Sequence, residues 1–190
     1  MYSLILDSST KVLYVSLVKD NEVVFEKYIE GKNDHAKNIV YTVDEALKSQ
    51  NIKAFDVDKF IVGYGPGSYT GVRMAVTVAK MMAIFAKNKL YTVSSLLLMA
   101  SGEKGVVKAT IDARRGNAFA AVYDTLNDKI ILEDGMYPYE KLDSYEGIAV
   151  NEEKFKVDPI YLINKASKVE EPHLLVPNYL RDTEAERNLK

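Results

Sequence analysis

A chain of 190 residues is long enough for one domain or two small lobes, and a hydrophobic content of 47% allows it a real core. Its 25 basic and 27 acidic residues leave a net charge of −2, so there is no global basic field to hold nucleic acid, and any contact with RNA has to be local or shared with a partner. The absence of cysteine excludes disulfides and thiolate metal sites and suits a reducing compartment.

The N-terminal run Met1 to Asp7 lacks a basic flank and reaches a charge at residue 7, unlike a secretion signal. No uncharged apolar run approaches the roughly 20 residues that span a bilayer. A soluble, cytoplasmic protein is the expectation. Leu4 to Leu6, Val12 to Val18 and Val23 to Ile29 read as strands, with Asp20-Asn21 as a hairpin turn between the second and third. Asp34 reads as an N-cap. Behind it Ala36, Ile39, Val40, Val43, Ala46 and Leu47 keep helical spacing, which predicts an amphipathic helix over 35–49. Phe60 to Val62 is apolar throughout and reads as a buried strand. The turn Gly65-Pro66-Gly67-Ser68-Tyr69-Thr70-Gly71 follows it, then a long apolar helix from Thr70 to Ala86. A helix starting from such a turn offers backbone N–H groups to whatever lies in front of it. Leu90 to Val93 is the next strand, and Ser94-Ser95 caps a short apolar helix ending near Gly102.

The pattern then restarts. Ala109-Thr110-Ile111-Asp112 repeats Leu4-Ile5-Leu6-Asp7 as a strand ending in aspartate. A polar turn, a second strand (Ala118 to Tyr123) and a hairpin partner (Ile130 to Glu133) follow in the same order. This is either a chance likeness of two hairpins or an internal duplication giving two related α/β lobes, 1–102 and 103–190. In the second reading the later lobe is abbreviated. Beyond residue 135 only Ile148-Ala149-Val150 and 160–166 carry a clear pattern. The charged tail from Glu184 to Lys190 is expected to fray, and the C-terminal segment is free to pack back on the first lobe.

On the long helix, Thr70, Arg73, Thr77 and Lys80 fall within a stripe roughly 80° wide, and almost everything else is apolar. A helix lying on one sheet needs an apolar face little more than about 100° wide. The surplus is covered either by a second lobe or another chain, or by complete burial within its own fold. Asp7 with Ser8-Ser9-Thr10, and Asp112 in the matching place, have the chemistry to hold magnesium or phosphate across a cleft between lobes. Asp-Ser-Ser-Thr is also an ordinary strand-to-hairpin turn. The glycine turn is not a mononucleotide loop, since no Lys-Ser/Thr pair follows its last glycine. It fails the dinucleotide pattern at Thr70 and the serine-nucleophile pattern at Pro66. The two histidines, His35 and His173, have no ligand-spaced partner, Ile39 standing four residues after His35, so no metal site is expected. Lys108, Arg114 and Arg115 form a small basic group at one turn, read either as an anion contact or as a solvated turn.

Several stretches together resemble the bacterial TsaB family, also called YeaZ. Leu6-Asp7-Ser8-Ser9-Thr10 is similar to the family's N-terminal IDTST, and GPGSYTGVR at 65–73 to its most distinctive motif. Val93 to Leu96, Ile111 to Asn117 and Pro177-Asn178-Tyr179-Leu180-Arg181 are similar to further family stretches, in order along nearly the whole chain. The resemblance implies an α/β, actin-like ATPase (ASKHA, RNase H-like) fold of two duplicated lobes. It implies a non-catalytic role in making threonylcarbamoyladenosine in tRNA, beside a TsaD-like catalytic subunit and a TsaE-like ATPase, with homodimers forming when the partner is absent. Contact with tRNA would come only through that complex. Pairing through the first two helices would use His35, Ile39, Val43, Val72, Val76, Ala79, Met82 and Ala83. The sister subunit's His-x-x-x-His metal pair corresponds here to Ser95 and Met99, so no cofactor, and at most weak ATP binding, is implied. Asp7, Ser8, Gly65, Gly67, Ser68 and Asp112 would form a vestigial nucleotide site. The opposed expectation is a stand-alone ATP-dependent phosphotransferase with Asp7 and Asp112 facing each other.

Overall fold

The computed structural model describes residues 1–31 and 35–180, without the side chains of His35, Ala36 and Lys37. The expected cap at Asp34, the tail from Glu184, Arg181 and the His35 side chain therefore lie outside the described residues. The elements follow the hydrophobic pattern closely. β1 (Tyr2–Asp7), β2 (Val12–Lys19) and β3 (Glu22–Glu30) form an antiparallel meander. α1 (His35–Ser49) crosses over to β4 (Lys59–Gly63), which lies parallel to β1. α2 (Tyr69–Ala86) leads to β5 (Lys89–Val93), parallel to β4. α3 (Ser95–Ala100) then carries the chain to a second sheet.

In that sheet β6 (Val106–Arg114), β7 (Asn117–Asp124) and β8 (Lys129–Pro138) form a second antiparallel meander. After the four-residue α4 (Tyr139–Leu142), β9 (Ile148–Asn151) lies parallel to β6. The order β8-β7-β6-β9 therefore reproduces β3-β2-β1-β4 strand for strand, with the same parallel and antiparallel senses. This is the duplication legible in the sequence. The second copy is abbreviated: α4 stands where the first has the 15-residue α1, and no counterpart of α2 and β5 follows β9 among the described residues.

The first sheet is covered on one face by α1 and α2, with Leu4, Leu6, Phe60, Val62 and Leu90 at the centre of the core. Its other face packs α5 (Pro159–Lys165) through Leu162 against Ile5, Tyr14 and Ile61. β10 (Ser167–Lys168) then adds an antiparallel edge to β5. The division expected at 102/103 is crossed by α3. Leu96, Met99 and Ala100 of α3 belong to the core of the second sheet, while 159–180 return to the first lobe. Among the described residues no helix is long and apolar enough to cross a membrane.

Candidate functional site

The loop after β1 and the glycine turn after β4 close on each other. Asp7 is 2% exposed, and both its oxygens are occupied: Oδ1 accepts from the Ser9 amide at 2.9 Å and the Ser9 hydroxyl at 2.7 Å, and Oδ2 from Ser95 Oγ at 2.6 Å. Burial pushes its carboxyl pKa up, against the opposing pull of the hydrogen bonds from Ser95 and Ser9. Ser8 Oγ donates to the Gly71 carbonyl at 2.8 Å, and the Ser68 amide donates to the Ser9 carbonyl at 2.7 Å. The Gly65 amide donates to Ser95 Oγ, and the Ser95 amide returns a bond to the Gly65 carbonyl.

Approach is so close that only glycine fits at three places. A Cβ at Gly63 would lie 1.8 Å from Asp7 Oδ2, one at Gly67 2.4 Å from the Ser9 carbonyl oxygen, and one at Gly71 1.9 Å from that of Ser8. The glycine turn therefore spends its Gly65 and Ser68 amides on its own chain. Ser68 Oγ caps α2 by accepting from the Gly71 amide.

Of the six residues expected at a nucleotide site, Asp7, Ser8, Gly65, Gly67 and Ser68 are brought together and Asp112 is not. Asp112 is exposed on the second sheet, where its carboxylate accepts from the Arg114 amide and its own amide donates to Glu152. Among the described residues no hydrogen bond joins it to the first-lobe knot. Ser95 is bonded to Asp7, and Met99, 1% exposed, packs in the second core. No group of three His, Asp or Glu side chains among the described residues is placed to hold a metal ion. Sequence reasoning missed a second joint. Ser94, the N-cap of α3, donates to Asp134 at 2.6 Å, and the Tyr123 hydroxyl donates to the same carboxylate, tying α3 to β8. Burial raises the Asp134 pKa as well.

The expected pairing residues need correcting. Ile39, Val43, Val72, Val76, Ala79 and Ala83 are all 2% exposed or less and form the core against the first sheet. Met82 is half-buried. On a helix apolar all round, periodicity cannot tell the inner face from the outer. Packing decides it: the small Ala and Val side chains let α2 approach the sheet, and the bulky ones turn outward. Met74, Val78, Met81 and Phe85 make a row at spacing 4, 3, 4 along the other side of the helix; Met74 and Val78 are half-buried and touch the first core, while Met81 and Phe85 are 65% and 69% exposed. Thr70, Arg73 and Thr77 of the expected polar stripe lie exposed beside this row. Lys80 does not. Its Nζ donates to the carbonyls of His173 and Leu175 at 3.0 Å each, clasping a C-terminal strap that lies back on the first lobe. The strap continues to Asn178, whose amide donates to the Tyr64 carbonyl, and to Tyr179, stacked on Tyr69 at 4.7 Å.

Comparison with known proteins places this geometry. TsaB of Bacillus subtilis is 32% identical over 67% of this chain, and TsaB of Escherichia coli 32% identical over 65%. The chain spans 57% and 55% of the length of these two relatives. The uncharacterized protein MG208 of Mycoplasma genitalium is 27% identical over 95% of both chains. The crystal structure of YeaZ from Pseudomonas aeruginosa superposes with a TM-score of 0.77 at 21% identity, covering 94% of this chain and 99% of that one. The α/β fold is thus that of YeaZ. The family model described as TsaD, tRNA N6-adenosine threonylcarbamoyltransferase, matches residues 29–168, and the chain belongs to this family as a TsaB/YeaZ-like member.

Proposed function

We propose that the chain is a non-catalytic subunit of the cytoplasmic machinery that makes threonylcarbamoyladenosine in tRNA. In this reading it pairs with a TsaD-like catalytic subunit, works beside a TsaE-like ATPase, and meets tRNA only through that assembly. The tRNA-modification role named for the TsaB relatives supports the process. The observation that carries the supporting, non-catalytic part is the closed knot around Asp7. A magnesium ion needs several open oxygen ligands. Here both oxygens of the carboxylate accept from serines, and the glycine turn is packed against Ser9 and Asn178. In this reading these residues serve packing and carry no chemical step.

The row Met74, Val78, Met81 and Phe85 supplies the docking face, with Val40 and Tyr41 of α1 also exposed. Apolar side chains of this size at one-turn spacing suit helix-on-helix packing with another subunit, and methionine adapts to it. When the partner is absent, the same face supports self-association. The test is co-elution of the pure chain with the TsaD-like subunit of the same organism, repeated with Met81→Glu and Phe85→Glu. A charge placed in an apolar contact costs about 3 kcal/mol, on the order of a hundredfold in affinity. Complex formation unaffected by both variants would exclude this face. Micromolar binding of Mg-ATP by the isolated chain would favour an independent enzyme instead.

A further inference from the structure

The outer face of α2 holds one cation that apolar packing cannot cover. Arg73 donates through Nη1 to the Tyr69 phenol at 2.9 Å, and its guanidinium carbon lies 5.4 Å from the Tyr69 ring centroid. Tyr69 in turn stacks on Tyr179. Arg73 is exposed, and among the described residues it forms no ion pair. It lines a groove of about 400 Å³ with Tyr69, Thr70, Met74, Thr77 and Val78. The cation thus stands directly beside the apolar row.

Among the described residues the surroundings offer it no counter-charge. α2 contains neither Asp nor Glu over its whole length, Tyr69–Ala86. On α1, Asp44 is paired with Lys48 and Glu45 with Lys27. If two copies met symmetrically through this face, each Arg73 would be desolvated against a helix without a carboxylate. A buried guanidinium left unpaired weakens an interface strongly, whereas one met by a carboxylate in bidentate geometry gains both strength and selectivity. We propose that Arg73 makes this face select a different chain over a second copy: the partner it fits brings a carboxylate into the groove beside Tyr69. This rests on the α2 face being the docking face.

The experiment compares self-association by analytical ultracentrifugation with titration calorimetry against the TsaD-like subunit of the same organism, using the full chain. Arg73→Met keeps the apolar stem and removes the charge. It is expected to weaken the heteromeric complex at least tenfold while strengthening self-association, and Arg73→Lys to recover part of the heteromeric affinity. Heteromeric affinity within twofold of wild type in Arg73→Met, or equal loss of both associations, overturns the proposal. The tail carries Asp182, Glu184 and Glu186. Neutralising them together (Asp182→Asn, Glu184→Gln, Glu186→Gln) is expected to change neither association. If it reproduces the Arg73→Met pattern, the counter-charge belongs to this chain and the proposal fails. Phe85→Glu separates the two levels of the argument. If it leaves the heteromeric complex intact, the face itself is misassigned. If it disrupts the complex while Arg73→Met does not, only the charge selection is lost.

Discussion

Gly71→Ala tests whether the two loops are as tightly closed as the structure requires. Gly71 is the third residue of α2, and in an exposed helix replacing it with alanine would stabilise by about 1 kcal/mol. Here the added methyl would stand 1.9 Å from the Ser8 carbonyl oxygen and 3.1 Å from its carbon, where ordinary contact begins at 3.4 Å. Ser8 is completely buried and cannot swing aside as a flexible side chain would. The backbone at Ser8 has to retreat by an ångström or more. That retreat pulls on the Ser8–Gly71 bond of 2.8 Å and the Ser68–Ser9 bond of 2.7 Å. Overpacking costs about 1–3 kcal/mol, and each strained hydrogen bond about 1 kcal/mol net. After subtracting the gain in helix propensity, the loss is about 2–4 kcal/mol, a fall in Tm on the order of 10 °C for a chain of this size. Calorimetric melting of the pure protein measures it. The control is Gly116→Asn, at φ +76° with nothing within 4 Å of the place a Cβ would take, a conformation asparagine tolerates; its Tm should stay close to wild type. A Gly71→Ala protein melting within about 2 °C of wild type refutes the close packing of these loops.

Ser95→Ala leaves Asp7 Oδ2 without its donor in a buried site, and urea unfolding should show a loss of about 1–3 kcal/mol, several times that of Ser144→Ala on the exposed surface. Asp7 has its folded pKa raised by burial, so the folded state holds the proton more tightly than the unfolded one. The stability linked to that proton is fully present below the unfolded value of 3.8 and is lost as pH rises through the higher folded value, so wild type should gain on Asp7→Asn as pH falls toward 4; a pH-independent difference in unfolding free energy contradicts the raised pKa. Lys80→Met removes both bonds to the strap, and limited proteolysis should then cut within 169–180 at least severalfold faster while the rest of the chain resists; equal cleavage rates would deny the clasp.

The strands and both long helices were legible because their signals are local. α1 occupies 35–49 as its spacing requires, and Ser94 caps α3 as a serine before an apolar run suggests. The duplication was legible for the same reason, since each copy opens with a strand, an aspartate and a hairpin. The orientation of α2 was not, because orientation is read from contrast and this helix has almost none. Nor was the closure of the knot. Ser95 reaches Asp7 from 88 positions away in sequence, and no local pattern reports a contact of that range. The strap has no periodic signal at all: a two-residue strand, Ser167–Lys168, and a three-residue turn of 3₁₀ helix, Pro172–Leu174, are held chiefly by backbone bonds to β5 and by Lys80. The likeness of Asp112 to Asp7 was real in register but not in environment. Asp7 meets a glycine turn and a serine from α3, and the abbreviated second lobe gives Asp112 neither.

The closed knot and the exposed apolar row on α2 are one mechanical arrangement. A carboxylate at the end of the first strand of an α/β sheet lies in the crevice where such folds bind ligands. In this chain that position instead joins three segments: the loop after β1, the glycine turn after β4 and the start of α3 all meet at Asp7. The same contacts fix the first turn of α2, through Ser8 to Gly71 and Ser9 to Ser68. Nearly two turns from its far end, α2 is held again by Lys80 on the strap. A helix pinned at two points cannot roll, and roll is the motion that would exchange the small inward residues for the bulky outward ones. Met81 and Phe85 are thereby held outward, and on the proposed docking role association need not supply the free energy to expose them. The polar groups at this crevice thus serve packing, and through it they set the orientation of the helix behind the glycine turn.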